Sequence, residues 1–328
     1  MAHAAPRPAG FQEADRGRRA ARPTQMTGRG WKDVLVRVKT QLKEDNAVLL
    51  AAGVAFFALL ALVPALVALV SIYGLVADPA DIENTVEDLL AAAPTEVQDL
   101  VSSQLDSIVT ASAGGLTLGV LGGIAVALWS ASSGMKHMIT AINAAYDEDE
   151  GRGFLRLRGL SLALTLGFIL LAGVAAFGFV VIPNALSSDG AEGTLRTVLL
   201  IARWPLLAIL AVVALAVLYR YAPDRDAPRW SWASVGAIVA TLVWIVASIG
   251  FSIYTANFGR YNETYGALGA VVILMLWLLI TAFVVIAGAE LDAELEHQTA
   301  VDTTDRPEEP MGERGAFVAD TVGKRTDR

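Results

Sequence analysis

Long uncharged apolar blocks alternate with short polar ones along this chain. The last block is the clearest: no residue from Leu268 to Ala289 is charged, and Glu290 then opens a charged tail. A bilayer core requires about 20 consecutive apolar residues in a helix. Five earlier blocks have the same character, so the pattern predicts six spans, at about 47–76, 114–132, 159–182, 198–219, 232–254 and 268–290. Lipid offers no partner to backbone polar groups, which restricts such spans to helices. The expected fold class is therefore all-α: a polytopic membrane protein with six transmembrane helices plus amphipathic helices outside them.

Two segments carry a one-sided pattern instead. Trp31, Leu35, Val38 and Leu42 fall on one helical face, with Lys32, Lys39 and Lys43 towards the other. This predicts an interfacial helix over 31–44. Residues 78–113 hold eight acidic side chains and no basic one, with apolar stripes at Ile82, Val86, Leu89 and Leu90 and at Val97, Val101, Leu105 and Ile108. Pro94 divides them. The reading is an extracytoplasmic excursion of two short helices packed on the outer end of the bundle. The flanks read as a disordered basic tail over 1–30 and a disordered cytoplasmic tail over 297–328, leaving 31–296 as the membrane domain.

Composition narrows the function classes. Hydrophobic residues make up 55% and charged residues 18%, against roughly 45–50% and 25% in soluble domains. The net charge of −8 argues against a nucleic-acid partner. With no cysteine, thiol catalysis and thiolate metal sites are excluded. The first apolar block follows some forty polar residues, a pattern that predicts no cleavable signal peptide. Twenty-two of the twenty-five Lys and Arg fall on the side that holds both termini. Basic loops stay inside, so both termini are expected in the cytoplasm.

The candidate chemistry is sparse. No Walker-type loop, HExxH pair or His/Asp cluster is present, so neither a metal nor a cofactor is expected. Glu290 leads the candidates, because an ionisable group at the end of a span is a functional candidate by default. Two readings stay open for it: coupling to a proton or ion, or a static ion pair with Lys136, Arg158 or Arg220. Lys136 and Asn143 are polar positions on a helix that continues the second span, where Tyr146 shares a face with Met135, Met138 and Ile142. Tyr265 and Gly266 sit in the loop before the last span, either gating a vestibule or forming an interfacial aromatic belt. Pro64 is the expected kink of the first span. Gly115, Gly119 and Gly123 repeat every four residues, as at a close helix packing face.

Three stretches carry a resemblance: AAGVAFFALLALVP, LWSASSGMKHMITAINAAYDEDEGRGFLRLRGLSLALT, and FSIYTANFGRYNETYGALGAVVILMLWL followed by GAELDAELE. On these the chain, over roughly 31–296, resembles the YihY/BrkB family of bacterial inner-membrane proteins, once labelled ribonuclease BN. Phe57 and Ala61 depart from it, standing where that family commonly has a tyrosine and a serine. The resemblance implies six spans in the bacterial cytoplasmic membrane and leaves the activity undefined. The expected function is a transporter or a lipid- or solute-handling permease rather than an enzyme. The alternative is a non-transporting scaffold for an envelope assembly. Expected partners are membrane lipids, a second copy of the chain or an envelope protein.

Overall fold

Because lipid cannot satisfy a peptide group, each apolar block closes its own backbone bonds and becomes a helix. The computed structural model describes residues 16–73, 118–176, 194–256, 267–305 and 307–325. In chain order the helices are α1 (Gly28–Glu44), α2 (Ala47–Tyr73), α3 (Leu118–Ala145), α4 (Phe154–Ala176), α5 (Thr194–Tyr221), the single turn α6 (Trp230–Ala233), α7 (Val235–Ala256), α8 (Ala267–Glu296) and the single turn α9 (Phe317–Asp320). Among the described residues the only β pairing is one isolated bridge, Pro228 with Thr304. The acidic excursion, Gly115, Tyr265 and Gly266 lie outside the described residues.

The six long apolar helices α2, α3, α4, α5, α7 and α8 form a ring in that order, closed by α8 against α2. The most extensive contact is α2 with α3, and α8 also touches α1 and α3. Small residues set these distances. Ala47, Ala51 and Val54 of α2 meet Ala141 of α3 and Ala282 and Ile286 of α8 in one buried cluster. A second core joins Ile139, Ile142 and Tyr146 to Leu164, Tyr219, Ala237, Val285 and Ala289. Outward-facing large side chains such as Leu242, Val246 and Ile249 stay exposed along α7, as expected where the solvent is hydrocarbon.

Among the described residues the expected count of six spans is not confirmed. Four helices, α4, α5, α6–α7 and α8, are long and apolar enough to cross a membrane, and the bent α1–α2 pair makes a fifth if it is one span. The second span blurs because α3 starts at the edge of the described residues. Its latter half carries Ser132, Lys136, His137 and Asn143. The sharp bend is the 63° turn between α1 and α2. Pro64 lies within α2, whose helix runs on to Tyr73.

Three other expectations change. Helix α1 starts at Gly28, capped by Thr27 Oγ1, which accepts from Gly30 N at 3.2 Å. Its face towards the protein includes the fully buried Val34, while Leu35 is 56% exposed. Val34 packs with Trp232, Leu291 and Leu295, so α1 lies against the end of α8 and not only on a lipid surface. The stretches 16–30 and 297–325, expected as disordered tails, are folded together over their described residues. Arg18 donates to the carbonyls of Gln298 and Gly323, at 3.0 and 2.6 Å. Thr299 Oγ1 donates to Ala20 O at 2.8 Å, and Arg314 donates to Ala319 O and Ala300 O. Buried cationic and hydroxyl groups find backbone carbonyls here, a compensation that composition does not reveal.

Candidate functional site

The polar end of the bundle, where both terminal segments meet, is built around the last turns of α8. Glu290, Asp292, Glu294 and Glu296 follow one another at every second position and are all buried, between 0 and 4% exposed. On a helix, residues four apart share a face. Glu290 and Glu294 therefore face one way, and Asp292 and Glu296 the other.

The Asp292/Glu296 face is a closed polar core. Arg225, from the loop after α5, donates to both Glu296 oxygens at 3.2 and 2.8 Å. Neither side chain of this pair is accessible. Thr303 Oγ1 donates to Glu296 Oε2 at 2.6 Å. The Arg225 guanidinium also lies 5.1 Å from the centre of the Tyr146 ring. Tyr146 is fully buried; burial, then the charges of Asp292 and Glu296, hold its phenol well above the ordinary tyrosine range. The α7 backbone reaches Asp292 through Gly236 N, 2.6 Å from Oδ1. This approach depends on two glycines. A Cβ on Gly236 would strike Gly288 O and the Asp292 carboxyl, and one on Gly288 would strike Tyr219 Oη and Ala240.

The Glu290/Glu294 face is different. Arg37 of α1 donates from Nε to Glu294 Oε2 at 2.5 Å, and His297 Nδ1 stands 3.8 Å from the same carboxylate. Glu290 has no such base among the described residues. Its near neighbour is the carboxyl of Asp45, within hydrogen-bonding reach. Neither Glu290 Oε1 nor Asp45 Oδ2 has a hydrogen-bond partner among the described residues. Asp45 is half-buried and links the hidden Glu290 to the polar surface. Asp147 stands near, its carboxyl raised chiefly by burial and then by Asp45. The two joints flanking the pair are in the left-handed region, Asn46 at φ 52° and Asp147 at φ 54°, a conformation that Asn and Asp tolerate better than most residues.

The bases expected beside Glu290 are engaged elsewhere or turned away. Arg158 donates to Trp129 O and lies over the Trp129 ring at 3.8 Å. Arg220 bonds Pro228 O and Asp305. Lys136 is exposed. Asn143 is a strut: its Nδ2 donates to Glu150 Oε2 at 3.0 Å, and its Oδ1 accepts from Asp224 N at 2.8 Å. It thus ties the loop after α3 to the loop after α5. Gly123 is exposed, with open space where a Cβ would stand, while Gly134 is the α3 glycine that meets Phe57, Ala58 and Ala61 of α2. The His137 ring stacks on Phe57 at 3.5 Å. Asp45, Asp292, Glu294, Glu296 and Arg225 were not singled out from the sequence. The usable signal was four carboxylates at alternate positions on a helix, which forces acids onto two opposed faces and therefore demands partners for both.

Within the apolar part of the ring, Phe168, Leu215, Thr241, Trp244 and Val284 help line a pocket of about 170 Å³ between α4, α5, α7 and α8. Trp244 Nε1 donates to Thr281 Oγ1 across it at 3.1 Å. Among the described residues no group of three or more His, Asp or Glu is placed to hold a metal ion.

An integral membrane helix bundle with a buried ionisable cluster at one end is the class these features define. The family described as Virulence factor BrkB matches residues 38–313, and the chain belongs to it. The chain is similar to a putative ribonuclease-like protein YfkH of Bacillus subtilis (strain 168), 31% identical over 250 residues, 74% of this chain and 88% of the relative. It is 28% identical over 266 residues to a UPF0761 membrane protein of Photobacterium profundum, covering 80% of each chain. A UPF0761 membrane protein of Rhodospirillum centenum is 28% identical over 254 residues, 76% of this chain but 54% of the longer relative. No solved structure matches.

Proposed function

We propose that this chain is a permease of the bacterial cytoplasmic membrane, with both termini in the cytoplasm, and that Glu290 with Asp45 forms its ion-coupling group. The observation that carries this reading is a carboxyl 1% exposed at a span end whose close neighbour is a second carboxyl rather than a base. A purely static group would be expected to hold a counter-charge, as Glu294 holds Arg37 and Glu296 holds Arg225. A proton shared by Glu290 and Asp45 turns a repulsive pair into a hydrogen-bonded one, and its loss repels α8 from the α1–α2 joint. That difference between two states is what coupling requires. Orientation rests on the Lys and Arg excess around the termini.

The name of the Bacillus relative raises a ribonuclease as the competing class. Phosphodiester hydrolysis uses metal ions or a positioned acid–base pair open to substrate. The carboxyls gathered here are buried behind the helix ends, so the proposed role is non-enzymatic.

The test uses the full chain in liposomes containing a pH-sensitive dye. A membrane potential is imposed with and without a panel of candidate solutes. The expected result is solute-dependent proton entry, lost in Glu290→Gln and strongly reduced in Asp45→Asn. Proton entry that is absent in the wild type, or equal in all three proteins, overturns the reading and favours a scaffold without flux.

A further inference from the structure

A second feature of the polar end lies away from the carboxyl pair, between the start of α4 and the end of α5. It is a groove of about 660 Å³. Arg152, Arg156, Arg220 and Arg225 line it against a single acidic side chain, Asp224. Three of these arginines are engaged: Arg225 with Glu296, Arg152 with Glu150 and Asp224, and Arg220 with Asp305. Arg156 is exposed and has no ion pair among the described residues. Arg220, 7% exposed, keeps a buried Nε without an acceptor among the described residues, and its salt-bridge partner Asp305 is itself 57% exposed. The exposed Arg156 therefore gives the groove unmet capacity for an anion.

The rest of its wall is apolar. Leu160 and Leu164 of α4 line it further along the helix, in the direction of the bilayer. Around its mouth Phe154 and Leu155 are 66 and 84% exposed, and Tyr221 and Trp230 about half. Both aromatic rings lie against the Arg220 guanidinium, at 5.5 and 4.7 Å. Exposed aromatics at the end of spans mark the headgroup layer, and a leucine 84% exposed at the same level calls for acyl chains. One unpaired cation at headgroup depth, with an apolar wall running inward from it, has the form of an anionic glycerophospholipid: one phosphodiester charge on two hydrocarbon chains.

We propose that this groove is a specific site for an anionic phospholipid, its phosphate held by Arg156 beside the engaged Arg220 and its chains lying along α4. Arginine suits the role because its planar fork pairs with phosphate oxygens in bidentate fashion. Bound lipid would stitch the α4 start to the α5 end, two helices whose direct contact is slight compared with that of α2 and α3.

The test is retention of lipid by the purified full chain. Wild type, Arg156→Gln and Lys39→Gln are reconstituted in equal mixtures of phosphatidylglycerol and phosphatidylethanolamine, re-extracted in mild detergent, and their bound lipid identified by native mass spectrometry. Lys39 is an exposed cation on α1 and controls for general surface charge. The expected result is enrichment of phosphatidylglycerol on the wild type and Lys39→Gln, several-fold lower on Arg156→Gln, with phosphatidylethanolamine unchanged. Equal loss in both variants, or none in either, overturns the site. A further arm offers inorganic phosphate to delipidated protein. Arg156-dependent phosphate binding without phosphatidylglycerol retention would mean a soluble anion and overturn the lipid assignment.

Discussion

Single residues at the polar end differ in what their loss exposes. Arg225 and Glu296 are both inaccessible and joined through both carboxylate oxygens. Removing one partner of such a pair leaves an uncompensated buried charge and costs about 3–5 kcal/mol, whereas replacing both with apolar side chains of similar volume is often near neutral. Arg225→Met is therefore expected to lower the melting temperature of the purified protein sharply. Arg225→Met combined with Glu296→Leu is expected to recover much of the loss. A single variant that melts with the wild type would remove the pair from the stability of the fold. Asn143 belongs to the same scale. The sequence marked it as a polar side chain on an otherwise apolar helix, but its use, bracing Glu150 and the Asp224 backbone, depends on two loops brought together only by folding.

At the scale of helices, one-dimensional spacing reveals faces but not partners. The GxxxG-like repeat at Gly115, Gly119 and Gly123 is visible because its members follow one another every four positions along the sequence. Gly236 and Gly288 are more than fifty positions apart and became a pair only when α7 crossed α8. Burial followed the same rule: the spacing of α1 marks Trp31, Leu35, Val38 and Leu42 as one apolar face, but that Val34 is buried on α8 and Trp232 follows only from the packing of the bundle. These contacts predict opposite outcomes for similar substitutions. Gly288→Ala drives a methyl into Tyr219 Oη and Ala240 Cβ, and overpacking of this kind costs about 1–3 kcal/mol. Gly123→Ala meets open space and should stay within about 0.5 kcal/mol of the wild type. Thermal melts of both variants in the same detergent compare the two sites directly, and an equal loss would contradict the asymmetry.

For the whole molecule, the all-helical class and its long apolar helices were legible because lipid imposes a length and a composition on them, while the terminal segments were not, because their order comes from one another. Residues 16–26 and 297–325 look like solvated tails by charge and proline content, yet they cap the helix ends through Arg18, Thr299 and Arg314. Asp302 organises part of that cap, accepting from Thr304 N, Thr304 Oγ1 and Glu309 N at 2.8–3.0 Å. Burial pushes its carboxyl up, but these hydrogen bonds outweigh burial and hold it below the ordinary aspartate range. The Arg152 guanidinium does the same for Glu150. A carboxylate lowered in the folded state contributes stability above its unfolded value and loses it as pH falls through the folded one. Asp147 and Glu148, raised chiefly by burial, act in the opposite sense: their cost is present above their raised values and is relieved on acidification. Acidification from neutrality should therefore first relieve Asp147 and Glu148, and only below the ordinary carboxylate range release the cap. Asp302→Asn separates the two effects. It should melt earlier than the wild type at neutral pH and show a shallower fall in melting temperature at acid pH. A variant whose acid limb parallels the wild type would show that the cap is held by its arginines rather than by Asp302.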